Sequence, residues 1–214
     1  MDSSSIADLR KDYTLNGLRK EDVLKNPIDQ FKQWFEEALA SEVLEPNGMV
    51  LSTIGKDGYP HGRVVLLKDV NSLGFSFYTN YLSHKGEELA QNPVASLTFW
   101  WPELERQVRI LGKVVKVSES ESDTYFGVRP RGSQIGAWVS AQSQIIANRE
   151  ILVEKLATLE AQFADQAVPR PAHWGGYRVL PHQIEFWQGR PSRLHDRLCY
   201  TYELNEWKLE RLSP

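Results

Sequence analysis

The spacing of apolar positions along the chain changes several times, and each change marks an element. From Asn26 the residues Ile28, Phe31, Phe35 and Leu39 recur at helical intervals, giving one stripe to bury. Asn26 is a capping residue, Pro27 suits a first turn, and Pro46-Asn47-Gly48 ends the segment. From Met49 the period falls to two. MVLSTI, a Lys56-Asp57-Gly58 turn, HGRVVLLK and, after Leu73-Gly74, FSFYT predict an antiparallel meander. Ser83 caps a short helix that has Glu87 and Glu88 near its positive end and Pro93 beyond its last turn. VASLTFWW and ERQVRILGKVVKVS return to strand character. Ser118 and Glu121 form a capping box for a helix carrying Tyr125 and Phe126, and Leu152, Leu156, Leu159 and Phe163 mark another amphipathic helix. Beyond a joint read in VPRPAHWGG lie three more strands, IEFWQ, RLCYTYEL and WKLERL, the second alternating at Leu198, Tyr200, Tyr202 and Leu204.

Strands follow strands, with helices inserted between groups, which argues against a βαβ sheet. The fold class expected is mainly β with peripheral helices, an antiparallel barrel closed or partly closed. Residues 1–25 are polar with scattered apolar positions such as Ile6, Leu9, Leu15 and Leu18, and read as an arm that orders only on a surface. Residues 26–214 read as a single domain.

The charge balance narrows the partners: 25 Lys+Arg against 28 Asp+Glu give a net charge of -3, so no global positive field draws the chain to nucleic acid or anionic lipid. The one cysteine, Cys199, cannot close an internal disulfide, and no CxxC or HExxH pair offers a metal site. No apolar h-region opens the chain, and no run approaches the ~20 apolar residues that span a bilayer. A cytoplasmic protein without metal is expected.

Phosphate-binding glycine loops and the GxSxG elbow are absent; GSQIG at 132–136 has the wrong spacing. What remains is cationic and hydroxyl residues within apolar surroundings. Arg63 and Lys68 flank VVLL five positions apart, on opposite faces of an ideal strand unless a bulge intervenes; they are either rim charges or one solvent and one site residue. In YFGVRPRGSQIGAWVSAQS, Tyr125, Arg129, Arg131 and Ser133 supply phenol, guanidinium and hydroxyl donors suited to a phosphate dianion, or form a solvated loop. In IEFWQGRPSRLHDR, Trp187, Arg190, Arg193, His195, Asp196 and Arg197 crowd a Gly/Pro-interrupted turn, where flanking arginines lower the His195 pKa unless Asp196 or an anion offsets them. Arg193 can orient or stabilise charge but cannot act as a base.

Taken together, LRKDY, RVVLLK, FYTNYLSHKGEEL, ERQVRILG, YFGVRPRGSQIGAWVSAQS, WGGYRV, FWQGRPSRLHDR and RLSP resemble the pyridoxine/pyridoxamine 5′-phosphate oxidase family over nearly the whole chain. The resemblance implies an FMN-binding split β-barrel, Greek-key-like, working as a homodimer with FMN at the subunit interface. It also implies oxidation of pyridoxine 5′-phosphate and pyridoxamine 5′-phosphate to pyridoxal 5′-phosphate by hydride transfer to FMN, with O2 reoxidising the flavin to give H2O2. Carried over by motif, Arg63, His84, Lys85, Gln142 and Ser143 are expected at the FMN phosphate and ribityl chain. Val64, Lys68, Tyr78, Thr79, Gln107, Trp187 and Arg197 complete the cofactor pocket, Arg197 as part of the charge near flavin N1. Lys68, Tyr125, Arg129 and Ser133 are similar to the substrate-phosphate cradle. Arg193 and His195 resemble the catalytic pair holding the pyridine ring, and Arg10 and Tyr13 a lid from the arm. His84 stands where the family commonly has arginine, which implies a weaker or pH-dependent contact to the flavin phosphate. Arg19, Lys20 and Arg211 are either a second anion patch or surface charge. The rival readings are another flavin oxidoreductase of this fold using a different small reductant, and a non-catalytic flavin or pyridoxal-phosphate binding protein.

Overall fold

The computed structural model describes residues 12–214. After a 3-10 turn at Lys20–Asp22 come helix α1 (Pro27–Ala40) and strands β1 (Gly48–Ile54), β2 (Pro60–Leu66), β3 (Asp69–Asn71) and β4 (Gly74–Asn80). Helix α2 (His84–Gln91), strands β5 (Val94–Trp101) and β6 (Arg106–Lys116), and helices α3 (Glu119–Gly127), α4 (Arg131–Val139) and α5 (Glu150–Gln162) follow. The chain ends in β7 (Trp174–Gln188), β8 (Asp196–Glu203) and β9 (Glu206–Leu212). The strands hydrogen-bond in the order β2-β1-β5-β6-β7-β4-β3, with β8 beside β7 and β9 beside β8. The β3–β4, β4–β7, β7–β8 and β8–β9 pairings are all antiparallel, but the expected meander of MVLSTI, HGRVVLLK and FSFYT breaks after its first hairpin: β2 neighbours β1 alone, and β4 pairs with β7 and β3.

The caps read from sequence are formed. Asn26 accepts from the Ile28 N–H, Ser83 from Gly86, and Ser118 and Glu121 close a reciprocal capping box. The stripe of α1 differs from the expectation. Ile28, Phe31, Trp34 and Ala38 are its buried face, whereas Phe35 is half-buried and Leu39 is 57% exposed. Steps of three and four from Phe31 reach Trp34 and Ala38, and Leu39 lies a further ~100° round the helix, beyond the face. The WGG of the supposed joint is likewise the start of β7, which runs unbroken for 15 residues. Its two glycines have a packing reason: a Cβ on Gly176 would lie 2.8 Å from the Tyr78 ring, and one on Gly175 2.2 Å from the Tyr81 hydroxyl. In β8 the alternation holds for Leu198 and Tyr200, but Tyr202 is half-exposed and Leu204 sits in the two-residue β8–β9 turn with Asn205, both at positive φ.

The chain divides into two compact units. One comprises the described residues up to Met49, with Leu97–Leu111 and Pro181–Pro214. Its core stacks Phe31 against Phe99 (centroids 5.0 Å apart) and sets Trp34 edge-on to Phe186 (5.1 Å). Residues 13–25 lie on this unit: Leu18 is buried, the Thr14 and Leu15 N–H groups donate to Glu105, and that of Leu18 donates to Asp196. The other unit, Val50–Ser96 with Gly112–Leu180, packs α3, α4 and α5 around Phe126, Ile135, Val139, Phe163, Val168 and Trp174. Each unit carries its own cluster of site residues.

Candidate active site

The Val50–Ser96/Gly112–Leu180 unit contains a cleft of about 830 Å³, within the range of small-molecule sites. Arg63 and Lys68 both line it. Their expected placement on opposite faces fails because β2 stops at Leu66; Lys68 lies outside any strand, and its backbone N–H turns to the Ser76 carbonyl at 2.9 Å. An alternation argument ends where the strand ends. Val64, 71% exposed, lines the same wall.

Tyr125 on α3, Arg129 in the α3–α4 link and Ser133 in the first turn of α4 form a second wall. The Tyr125 ring stacks on Tyr78 at 4.0 Å, and Tyr78 stacks on Trp174 at 5.6 Å. The Arg129 guanidinium lies 4.4 Å from the Trp174 centroid, and its Nη1 is buried without a hydrogen-bond partner among the described residues. Burial lowers the Arg129 pKa. Leaving a buried donor unmet costs roughly 1–3 kcal/mol, so this nitrogen is suited to an acceptor arriving with a ligand. Arg131 does not join it: its guanidinium is bound to the Phe163 and Gln166 carbonyls at the end of α5.

At the far side Lys85 Nζ donates to Gln142 Oε1 (2.9 Å) and lies 3.4 Å from the Thr79 and Ser83 hydroxyls. Its pKa is lowered by burial first and by Arg63 second. The Thr79 hydroxyl also donates to Gln142 Oε1, at 3.2 Å. Ser143, held at φ 72°, accepts the His84 backbone N–H through its Oγ. Cations, hydroxyls and stacked aromatic rings thus line one cleft. This donor set fits phosphate esters and a flat ring, the two parts of FMN and of a phosphorylated pyridine.

The other unit gathers the second group. Trp187 on β7 pairs across the sheet with Arg197 on β8. The Trp187 and His195 rings lie 4.6 Å apart, and Tyr13 meets each of them edge-on at 5.7 Å. Tyr13 reaches them over a glycine: a Cβ on Gly189 would sit 2.7 Å from its Cγ. The loop between β7 and β8 carries two consecutive left-handed residues, Ser192 (φ 57°) and Arg193 (φ 60°), a conformation that costs non-glycine residues about 1–3 kcal/mol each. The Arg190 backbone N–H donates to His195 Nδ1 at 3.2 Å, so a neutral His195 carries its proton on Nε2. Burial first and Arg193 second lower its pKa, as the flanking arginines suggest. Arg197 is fully engaged: Nε and Nη2 donate to Glu185 (2.8 and 3.2 Å) and Nη1 to the Ser213 carbonyl (2.8 Å), while Arg109 pairs with the same carboxylate. Burial alone would raise Glu185, but the two arginines outweigh it and hold it below the usual carboxylate range.

Gln107 lies on β6 in this unit, and Arg10 falls outside the described residues. Arg19, Lys20 and Arg211 are tied to Asp22, the Leu209 carbonyl and Asp196 respectively. Three residues of the cleft's surroundings escape sequence reasoning. Trp174 was hidden in an apparent joint, and Glu88 and His61 make contacts that no local motif announces.

A mainly-β chain with a cationic, aromatic-lined cleft belongs among the split-barrel flavin proteins, and the comparisons agree. The model "Pyridoxamine 5'-phosphate oxidase" matches residues 35–163, and "Pyridoxine 5'-phosphate oxidase C-terminal dimerisation region" matches 174–214. The chain is 61% identical over 211 residues to a pyridoxine/pyridoxamine 5′-phosphate oxidase of Acaryochloris marina, covering 99% of this chain and 96% of that protein. It is 60% identical to one of Nostoc sp., covering 98% and 99%. Among solved structures, PhzG of Burkholderia lata, in complex with tetrahydrophenazine-1-carboxylic acid, aligns with TM-score 0.89 at 33% identity, covering 95% of this chain and 100% of that one. An FMN-binding protein of Nostoc punctiforme shares the fold at TM-score 0.68 and 15% identity, covering 86% and 97%. The chain belongs to the pyridoxamine 5′-phosphate oxidase family.

Proposed function

We propose that this chain is an FMN-dependent oxidase that converts pyridoxine 5′-phosphate and pyridoxamine 5′-phosphate to pyridoxal 5′-phosphate, acting as a homodimer with FMN between the subunits. The family and the dimerisation region at 174–214 support the activity and the pairing. The observation that carries the substrate class is the buried Arg129 Nη1, unpartnered among the described residues, in a cleft also lined by Lys68, Tyr125 and Ser133. These four residues take the substrate phosphate, a handle that fixes the pyridine ring. Arg63, Lys85, Gln142 and Ser143 take the phosphate and ribityl chain of the cofactor, with Val64, Tyr78, Thr79 and Gln107 along its body.

FMN held there would supply a two-electron sink for oxidation of the C4′ carbon, with O2 as the acceptor that becomes H2O2. Positioning of ring against ring supplies up to roughly 7–11 kcal/mol of the barrier. Arg193 and His195 are the residues proposed to hold the pyridine. With Nδ1 occupied by the Arg190 N–H, His195 presents Nε2–H, a donor, and so orients rather than removes a proton. Trp187 and Arg197 are proposed as further flavin residues, and Tyr13 as part of a lid that excludes water. Among the described residues no helix is long and apolar enough to cross a membrane. Cys199 is free and buried, which fits the proposed cytoplasmic setting.

The test is direct. Purified full-length protein should be yellow, should bleach anaerobically with pyridoxine 5′-phosphate or pyridoxamine 5′-phosphate, and should release H2O2 with pyridoxal 5′-phosphate in air. Protein reconstituted with FMN that is not bleached by either substrate would overturn the proposal.

A further inference from the structure

A buried carboxylate stands behind the Arg63 and Lys85 end of the cleft, where the proposed function places an anion. Glu88, on α2 one turn after Lys85, is only 7% exposed. Its Oε2 accepts from the Thr53 hydroxyl and from Arg63 Nη2 (3.1 Å), and Thr53 accepts in turn from Arg63 Nη1. The other oxygen, Oε1, lies 2.6 Å from His61 Nδ1. Residues from β1, β2 and α2 thus converge on one carboxylate.

The charges that face this group can be counted from each element. Arg63 on β2 and Lys85 on α2 are cations, and Glu88 on α2 is an anion. His61 on β2 is neutral or cationic, and Asp57 in the β1–β2 turn approaches His61 Nε2 at 3.5 Å. With His61 neutral, Glu88 cancels one of the two cations that act on the cleft. With His61 protonated, its charge cancels Glu88 instead, and both cations act undiminished. The His61 side chain is 41% exposed, so it exchanges protons with solvent without passing through the cleft.

We propose that Glu88 is a positioning residue for Arg63, and that protonation of His61 relieves the counter-charge of Glu88 and so strengthens phosphate binding at this end of the cleft. The inference rests on the reading that this end takes the FMN phosphate. The hydrogen bond that His61 Nδ1–H donates to Glu88, acting against partial burial and Arg63, raises the His61 pKa above its ordinary 6.5. Burial alone would raise Glu88, but its bonds to Thr53, His61 and Arg63 hold it below the ordinary 4.5, so it stays ionised throughout the His61 titration.

The sign of the effect makes it testable. The second ionisation of a phosphate ester falls near pH 6, so the ligand alone should bind more tightly as pH rises. The His61–Glu88 pair predicts the reverse. FMN affinity of the full-length protein, stripped of flavin, would be measured by fluorescence quenching from pH 6 to 8.5, with riboflavin as the probe lacking phosphate. The parent should weaken toward FMN by about three- to tenfold as pH rises, the scale of one screened charge at short range. His61→Gln should lose that slope, and Glu88→Gln, which keeps an acceptor for Arg63, should bind FMN tightly and without the slope. Riboflavin affinity should not follow pH in this way in any of them. FMN bound no better than riboflavin at every pH would overturn the phosphate reading and the inference with it. FMN preferred over riboflavin, with His61→Gln keeping the parental slope, would overturn the inference alone. Should Glu88→Gln fail to fold, the His61→Gln slope still decides.

Discussion

The two site clusters differ in how their arginines are satisfied. In the cleft, Arg129 is held against Trp174 with a buried nitrogen that has no hydrogen-bond partner among the described residues. In the β7–β8 cluster, Arg197 makes bonds to Glu185 and to the Ser213 carbonyl, and Glu185 is further held by Arg109. A cation left unmet has its free energy in reserve for a ligand. One already paired is fixed in place and can only present charge or shape. The first arrangement is suited to gripping an anion; the second builds a rigid wall.

The largest test of that contrast removes the clamp of the wall. Glu185→Ala strands Arg109 and Arg197 beside each other, and should lower unfolding stability by about 3 kcal/mol in urea melts. That is the low end for a broken buried pair, because the Arg109 side chain is 44% exposed. Because the folded-state pKa of Glu185 is depressed, its contribution is fully present above the ordinary value of 4.5 and is lost as pH falls through the lower folded value. Glu185→Gln should therefore flatten the acid limb of the stability curve.

Arg129→Ala should do the opposite, with little loss of stability and a KM for pyridoxine 5′-phosphate raised by about ten- to a hundredfold at similar kcat. This is the scale of a charge-assisted bond of about 1.5–3 kcal/mol. An unchanged KM would mean that the free nitrogen serves no ligand.

The sequence made the helix caps and strands legible because their signals are local. Asn26, Ser83 and the Ser118–Glu121 pair act on residues two or three positions away. Where reasoning failed, the deciding contact came from far along the chain or from the end of an element. Leu39 lies beyond the buried face of α1, Lys68 lies past the end of β2, and Gly175 and Gly176 are strand residues paired with β4 whose missing side chains leave room for Tyr81 and Tyr78. Arg131 has the same local setting as Arg129, and only α5, more than thirty residues on, separates their roles. Glu88 and His61 are 27 positions apart, and no spacing rule joins them.

Within the wall, His195 gives a finer test, since its two nitrogens have separate tasks. Nδ1 fixes the loop through the Arg190 N–H, which leaves Nε2–H as a donor. His195→Ala should lower kcat/KM by about tenfold with flavin retained, the worth of roughly 1.4 kcal/mol of orientation. Glutamine reaches the position of Nε2 and asparagine that of Nδ1, so His195→Gln should keep more activity than His195→Asn; the reverse order would show that the loop bond is what matters. Because burial and Arg193 depress its pKa below 6.5, His195 stays neutral through the physiological range and should add no ionisation to the kcat/KM profile above that pH.

The smallest effect concerns what lies over His195. A methyl group at Gly189 would meet the Tyr13 ring at 2.7 Å, and the arm segment can shift away, so Gly189→Ala should cost only about 1 kcal/mol of stability. The displaced ring would no longer pack edge-on against Trp187 and His195. If Tyr13 serves as part of a lid, that shift should expose the bound flavin. Iodide quenching of flavin fluorescence in Gly189→Ala should then rise to match that of Tyr13→Ala, while Arg129→Ala leaves it at the parental level. Equal quenching in all three would detach Tyr13 from any covering role and leave it as a packing residue of the wall.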